Sequence, residues 1–173
     1  MNGRARTRPE RGAAARRGHA APDSAKPSLS LSIQLGDGVR TLPASRAQLR
    51  RWVAAAIDVD ATLTLRFVGE REARSLNARY RQRDYATNVL TFAYPDDDGR
   101  VNADIVICVP VARREARARR KTLAAHLAHL VIHGVLHACG HDHELPAQAE
   151  RMEAAEIALL ARFRIADPFR PRG

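Results

Sequence analysis

A single α/β (α+β) domain is predicted by three features of this chain. Stretches of period-two alternation and stretches of helical spacing follow one another along most of its length. At 173 residues it suits one domain with a real core, and 45% hydrophobic content supports a folded globule. Its two cysteines, Cys108 and Cys139, form no C-x-x-C pair, so the core is not stapled by a disulfide framework.

The patterned stretches amount to about four strands and about five helices. Leu29, Leu31, Ile33 and Leu35 alternate with Ser30, Ser32 and Gln34, which predicts a strand with one buried face. Gly36-Asp37-Gly38 then turns the chain. Ser45 is an N-cap candidate for a helix carrying Leu49, Trp52, Val53, Ala56 and Ile57. A second alternating strand holds Leu63, Leu65 and Phe67, and Ala73, Leu76, Asn77 and Tyr80 mark a short amphipathic helix. Residues 81–92 read as a polar loop feeding a β-prone run, and residues 95–99 as a solvated acidic turn. The run 103–109 is the most apolar strand and therefore a central one. Pro110 opens a helix, where its missing N–H is harmless. Thr122 caps the next helix, with Leu123, Leu127, Leu130 and Val131 on one side and His126, His129, His133 and His137 on another. From Pro146 a last amphipathic helix runs to about Phe163, turning Met152, Ala155, Leu159 and Phe163 inward, and residues after Asp167 are expected to fray.

Residues 1–27 lack any apolar period. Seven basic residues against Glu10 and Asp23 give this stretch +5, half of the chain's net +10, and it reads as a disordered basic tail. It has no apolar region of a secretory signal, and Pro9 and Pro22 weaken a transit-type helix. Either an added non-specific RNA affinity or an inert extension accounts for it. The overall charge favours an anionic partner, nucleic acid before membrane, although an arginine-rich genome produces the same value. No apolar run reaches the ~18 residues of a membrane span, and the unpaired cysteines suit a reducing cytoplasm.

The chemistry concentrates in residues 133–143. His133 and His137 are four apart, so a helix places them on one face, a turn from each other. His143 follows six residues later with Gly140 between, which lets the chain turn back. The spacing matches the metzincin-type, zincin-like metal helix at every position but one. Three neutral imidazoles leave a fourth tetrahedral position open, the arrangement of a catalytic zinc site. The mismatch is Gly134, where peptidases of this pattern carry the general-base glutamate. A zinc peptidase is thereby disfavoured, unless a base comes from elsewhere. His126 and His129 lie too far up the helix for the tripod and are expected to line a groove or enter the core.

Several separated blocks, in order, resemble the YbeY endoribonucleases. They are Leu76-Asn77-Ala78-Arg79-Tyr80-Arg81, Asp84-Tyr85, Thr87-Asn88-Val89-Leu90-Thr91-Phe92, the strand 103–108, and the histidine stretch from His129 through Glu144. The likeness spans residues 29–163 and puts the enzymatic domain at residues 28–166, outside the basic tail. It implies a small mixed sheet with helices around it and one Zn2+ per chain on His133, His137 and His143. It further implies single-strand RNA cleavage, 16S rRNA maturation and 70S ribosome quality control, with rRNA and ribosomal subunits as partners. Arg81 matches the family's functional arginine; without the likeness it reads as a surface salt bridge. Position 141, usually tyrosine in the family, is His141, a competing ligand that the 1-5-11 spacing ranks below His143. Ala93 stands where the family carries a proline or another small residue.

Arg81 and His133 are thus the candidate catalytic residues. Zinc would polarise a phosphoryl oxygen or supply hydroxide near neutral pH, and Arg81 would face the charged phosphorane. Attack by the RNA's own 2′-OH is the other route. Asp142 either orients a ligand imidazole or caps the turn. Arg113, Arg117, Arg120 and Lys121 are either a solvated face or phosphate contacts. Two other classes remain: a zinc peptidase or amidohydrolase, and a non-catalytic ribosome-assembly factor with structural zinc.

Overall fold

Alternation gives strands where it was expected. In the computed structural model, which describes residues 26–95 and 98–170, β1 (Leu29–Leu35) pairs in parallel with β2 (Ala61–Val68). β2 in turn pairs in parallel with β4 (Val101–Cys108), and β3 (Val89–Tyr94) closes the sheet antiparallel to β4. The order β1-β2-β4-β3 makes a four-stranded mixed sheet. The apolar run expected to be central is interior, a place it shares with β2. The basic tail, apart from Lys26 and Pro27, lies outside the described residues, as does part of the 95–99 turn.

Five helices surround the sheet: α1 (Arg46–Ala56), α2 (Glu70–Arg81), α3 (Val109–Ala118), α4 (Leu123–Ala138) and α5 (Pro146–Ala161). Ser45 caps α1 through a full capping box with Gln48. Thr122 caps α4 by accepting from the amide of Ala125. Pro110 sits in the first turn of α3, one residue later than its start.

The two faces of β4 explain its apolar run. Ala103, Ile105 and Ile107 join the main core with Leu127, Val131 and Val135 of α4, and with Leu49, Trp52 and Val53 of α1. Val106 and Cys108 point the other way, into a smaller cluster with Ala73, Leu90 and Val111. A strand covered on both faces cannot alternate, which is why this one reads as continuously apolar. α4 lies between α1, α3 and α5 and across β3 and β4. Gly134 permits that approach: a Cβ there would stand 2.7 Å from Ile105 Cγ2 and 3.3 Å from Thr91 Oγ1.

Three expectations are corrected. Tyr80 is 57% exposed rather than inward, its ring meeting the edge of Phe92 at 5.0 Å. α5 ends at Ala161, and its buried stripe is Met152, Glu156 and Leu160, so a carboxylate occupies the centre of the apolar face. The chain after Asp167 packs instead of fraying. Pro168 is buried, its carbonyl accepts from Lys121 Nζ at 2.6 Å, and Phe169 meets His129 ring to ring at 5.6 Å.

Candidate metal centre

α4 places His133 and His137 one turn apart, with ring centroids 4.6 Å from each other. The helix then ends in a Schellman motif: Gly140 takes φ 87, its amide bonds to the carbonyl of His137, and the amide of His141 to that of Leu136. That reversal carries the chain back, so the His143 ring lies 4.8 Å from His137 and 5.8 Å from His133. One ring nitrogen from each of the three falls within 4.8 Å of the others. Among the described residues His141 joins no such group; it is exposed.

A buried carboxylate sets the chemistry of the first ligand. Glu156 Oε1 lies 2.6 Å from His133 Nδ1, and its Oε2 lies 3.0 Å from His129 Nε2. Against an ionised carboxylate both nitrogens donate, and in a neutral His133 ring Nε2 is then the nitrogen able to ligate. Burial alone would push the Glu156 carboxyl up, but the bonds from His129 and His133 outweigh it and hold it at about 2. His137 is held neutral at about 4, first by burial and then by the neighbouring His133 and His143.

His129, His133 and Glu156 also form a compact group of possible ligands. Two ligand atoms on a tetrahedral zinc stand about 3.3 Å apart. The 2.6 Å between His133 and Glu156 is too short for an ion and right for a shared proton. The donor set that fits a metal is the three imidazoles.

The tripod opens into a cavity of about 500 Å³ whose wall includes Arg81, Thr87, Asn88, Asp142 and Glu144. Arg81 comes from the last turn of α2 and is exposed; Arg74 of the same helix pairs with Asp84 through two bonds of 2.6 and 2.7 Å. Asp142 Oδ1 accepts from the amide of His143 at 2.7 Å, so it shapes the turn that presents this ligand. Arg113, Arg117 and Arg120 are exposed on and after α3 and are not among the residues lining this cavity. Arg119 does line the adjoining pocket beside His133 and His143. A Cβ at position 134 would meet Ile105, Thr91 and Val89 of the sheet, and the last two also line the tripod cavity.

The family model for Endoribonuclease YbeY matches residues 40–164. The chain belongs to the YbeY family. Endoribonuclease YbeY of Cupriavidus metallidurans is 52% identical over 149 residues, covering 84% of this chain and 75% of that protein. The YbeY of Methylibium petroleiphilum is 50% identical over 145 residues, covering 84% and 97%. A Thermotoga maritima protein solved in solution superposes with a TM-score of 0.51 at 28% identity, covering 81% of this chain and 99% of its own. The family likeness read from the motif blocks is borne out, as is the mixed-sheet fold it implied.

Glu156 escaped sequence reasoning. Its signal was present: Met152, Glu156 and Leu160 fall at i, i+4 and i+8, so a carboxylate sits in an otherwise apolar stripe. Such a residue needs a buried partner, and the histidine-rich α4 offers one. Glu115, among the arginines of α3, has a similar role on its buried side. It accepts from Asn88 Nδ2 at 3.0 and 3.1 Å and lies 2.7 Å from His126 Nε2.

Proposed function

We propose that this chain is a zinc-dependent, single-strand-specific endoribonuclease. In this reading it acts in the cytoplasm on 16S rRNA 3′-end maturation, ribosome biogenesis and 70S ribosome quality control. The observation that carries the reading is the convergence of three imidazoles and Arg81 on one cavity. Zinc held by His133, His137 and His143 would act as Lewis acid toward a phosphodiester.

The chain's own residues supply the rest. Glu156 holds His133 in the ligating tautomer, and burial keeps His137 unprotonated. Arg81 offers a permanent charge with several donors toward a phosphoryl group that gains negative charge during cleavage. Gly134 has no side chain, and a Cβ there would stand 2.7 Å from Ile105 Cγ2, which disfavours a peptidase-type base at this position. No helix among the described residues is long and apolar enough to cross a membrane.

The test is metal analysis joined to cleavage of single-stranded rRNA fragments. We expect one zinc per chain and cleavage in the wild type. Arg81→Ala should lower the rate about 100-fold with zinc retained, the scale of losing one transition-state donor. A deoxynucleotide at the scissile position separates the two attack routes: cleavage that survives rules out the 2′-OH. Casein degradation that a chelator abolishes, with RNA left intact, would overturn the reading. Unchanged rRNA processing by a folded, ribosome-binding His137→Ala protein would favour a structural role for zinc.

A further inference from the structure

A second, larger cavity lies at the opposite end of α4 from the tripod. It measures about 700 Å³ and is walled by the first turn of α4, by α1 and by the segment after α5. Arg51, Lys121, Arg162 and Arg164 line it, and among the described residues no Asp or Glu does.

These cations are braced in place. Arg51 lies 5.7 Å over the Phe163 ring, and Arg162 Nη1 donates to the Ala55 carbonyl at 3.4 Å. Lys121 bonds to the Pro168 carbonyl. Arg164 occupies a left-handed turn at φ 59, a position that favours glycine. Arg51, Arg162 and Arg164 together give this concavity a positive potential that favours an anion. The positive end of a 16-residue helix adds to it, since Thr122, Ala124 and Ala125 also form the wall.

His126 and His129 line the same cavity, are 1% and 9% exposed, and leave Nδ1 without a hydrogen-bond partner among the described residues. Their Nε2 atoms face the carboxylates of Glu115 and Glu156, which fixes both rings as a rigid, buried part of the cavity wall. Arginines spread along one concavity suit the successive phosphates of a nucleic-acid strand. His126 and His129 also line the pocket that holds His133 and His143, so the same two buried rings form part of the wall of both. From Thr122 to His133 is about 16 Å along the helix.

We propose that this cavity is a phosphate-binding subsite for the RNA strand whose scissile bond lies at the tripod. The identity of the strand rests on the endoribonuclease reading; the anion site does not. Trp52, the single tryptophan of the chain, lines the cavity and serves as reporter. The zinc-loaded full chain is titrated with inorganic phosphate and with a single-stranded oligoribonucleotide of about ten nucleotides, within the span of single-strand sites. RNA integrity is checked afterwards on a gel.

Both ligands should change Trp52 emission saturably, and phosphate should compete with RNA. Arg162→Gln combined with Arg164→Gly should weaken both about tenfold and lower the salt slope of RNA binding by about 1.4, two contacts at 0.7 each. Zinc content should not change. Arg164→Gly alone suits the backbone at that turn, so a weaker RNA complex in a protein of unchanged stability supports the subsite. A silent Trp52 with wild-type RNA affinity in the double variant overturns it. A response to phosphate with RNA affinity unchanged in the variant marks a free-phosphate site and overturns the RNA assignment. Variant-sensitive RNA binding by a wild type that never cleaves leaves the subsite standing while the endoribonuclease reading falls.

Discussion

The two halves of α4 use the same residue in opposite ways. In the first half, His126 and His129 are buried, each against a carboxylate brought by another helix, Glu115 from α3 and Glu156 from α5. In the second half, His133 and His137 are half-buried and meet His143 at the cavity. Spacing along the helix does not distinguish them. What differs is what the neighbouring elements bring: a buried carboxylate against the imidazoles of the first half, and a third imidazole, His143, beside those of the second. His133 belongs to both halves, with one nitrogen on Glu156 and the other available to the tripod.

The contrast breaks most sharply at His137. His137→Ala should lose stoichiometric zinc and cleavage together while the fold persists, measured by metal analysis beside circular dichroism. His129→Ala should do the reverse. It removes a bond to a buried carboxylate and should lower stability by about 2–3 kcal/mol in urea denaturation, with zinc retained. If both variants lose zinc equally, the division between the halves is wrong.

Glu156→Gln tests the residue that joins them. An amide can donate to His133 Nδ1 and so force the proton onto Nε2, the wrong tautomer for a ligand. Zinc affinity should fall about 10- to 100-fold in competition with a chromophoric chelator.

Smaller effects follow from packing and pH. Gly134→Ala pushes a methyl group against Ile105 and should cost about 1–3 kcal/mol of stability. In the metal-free protein, His137 stays neutral when folded down to about pH 4, whereas the unfolded chain takes up its proton near 6.5. The unfolded state therefore binds more protons across that window, and stability falls as pH falls from 6.5 to 4, by about 1.4 kcal/mol per unit at most. Glu156, held at about 2 against 4.5, extends the loss below pH 4.5 with the same sign. Denaturation midpoints at pH 7, 5.5 and 4.5 check this; a flat profile to 4.5 would show that His137 is not held neutral.

Much of the molecule was legible in the residues alone because its signals are local. Alternation in residues 29–35, the Ser45 and Thr122 caps and the 1-5-11 histidine spacing each depend on backbone period and nearby atoms. The helix break at Gly140 needed only a residue tolerant of positive φ. From these came four strands, five helices and the tripod, and the motif blocks added the family. The fates of His126, Glu115 and Glu156 depended on partners 11 to 27 residues away. Whether a charged side chain is solvated or buried is decided by what packs over it, and no local period encodes that. The same holds for the basic cavity, where Arg51 and Arg162 meet only because α1 and the end of α5 pack beside α4.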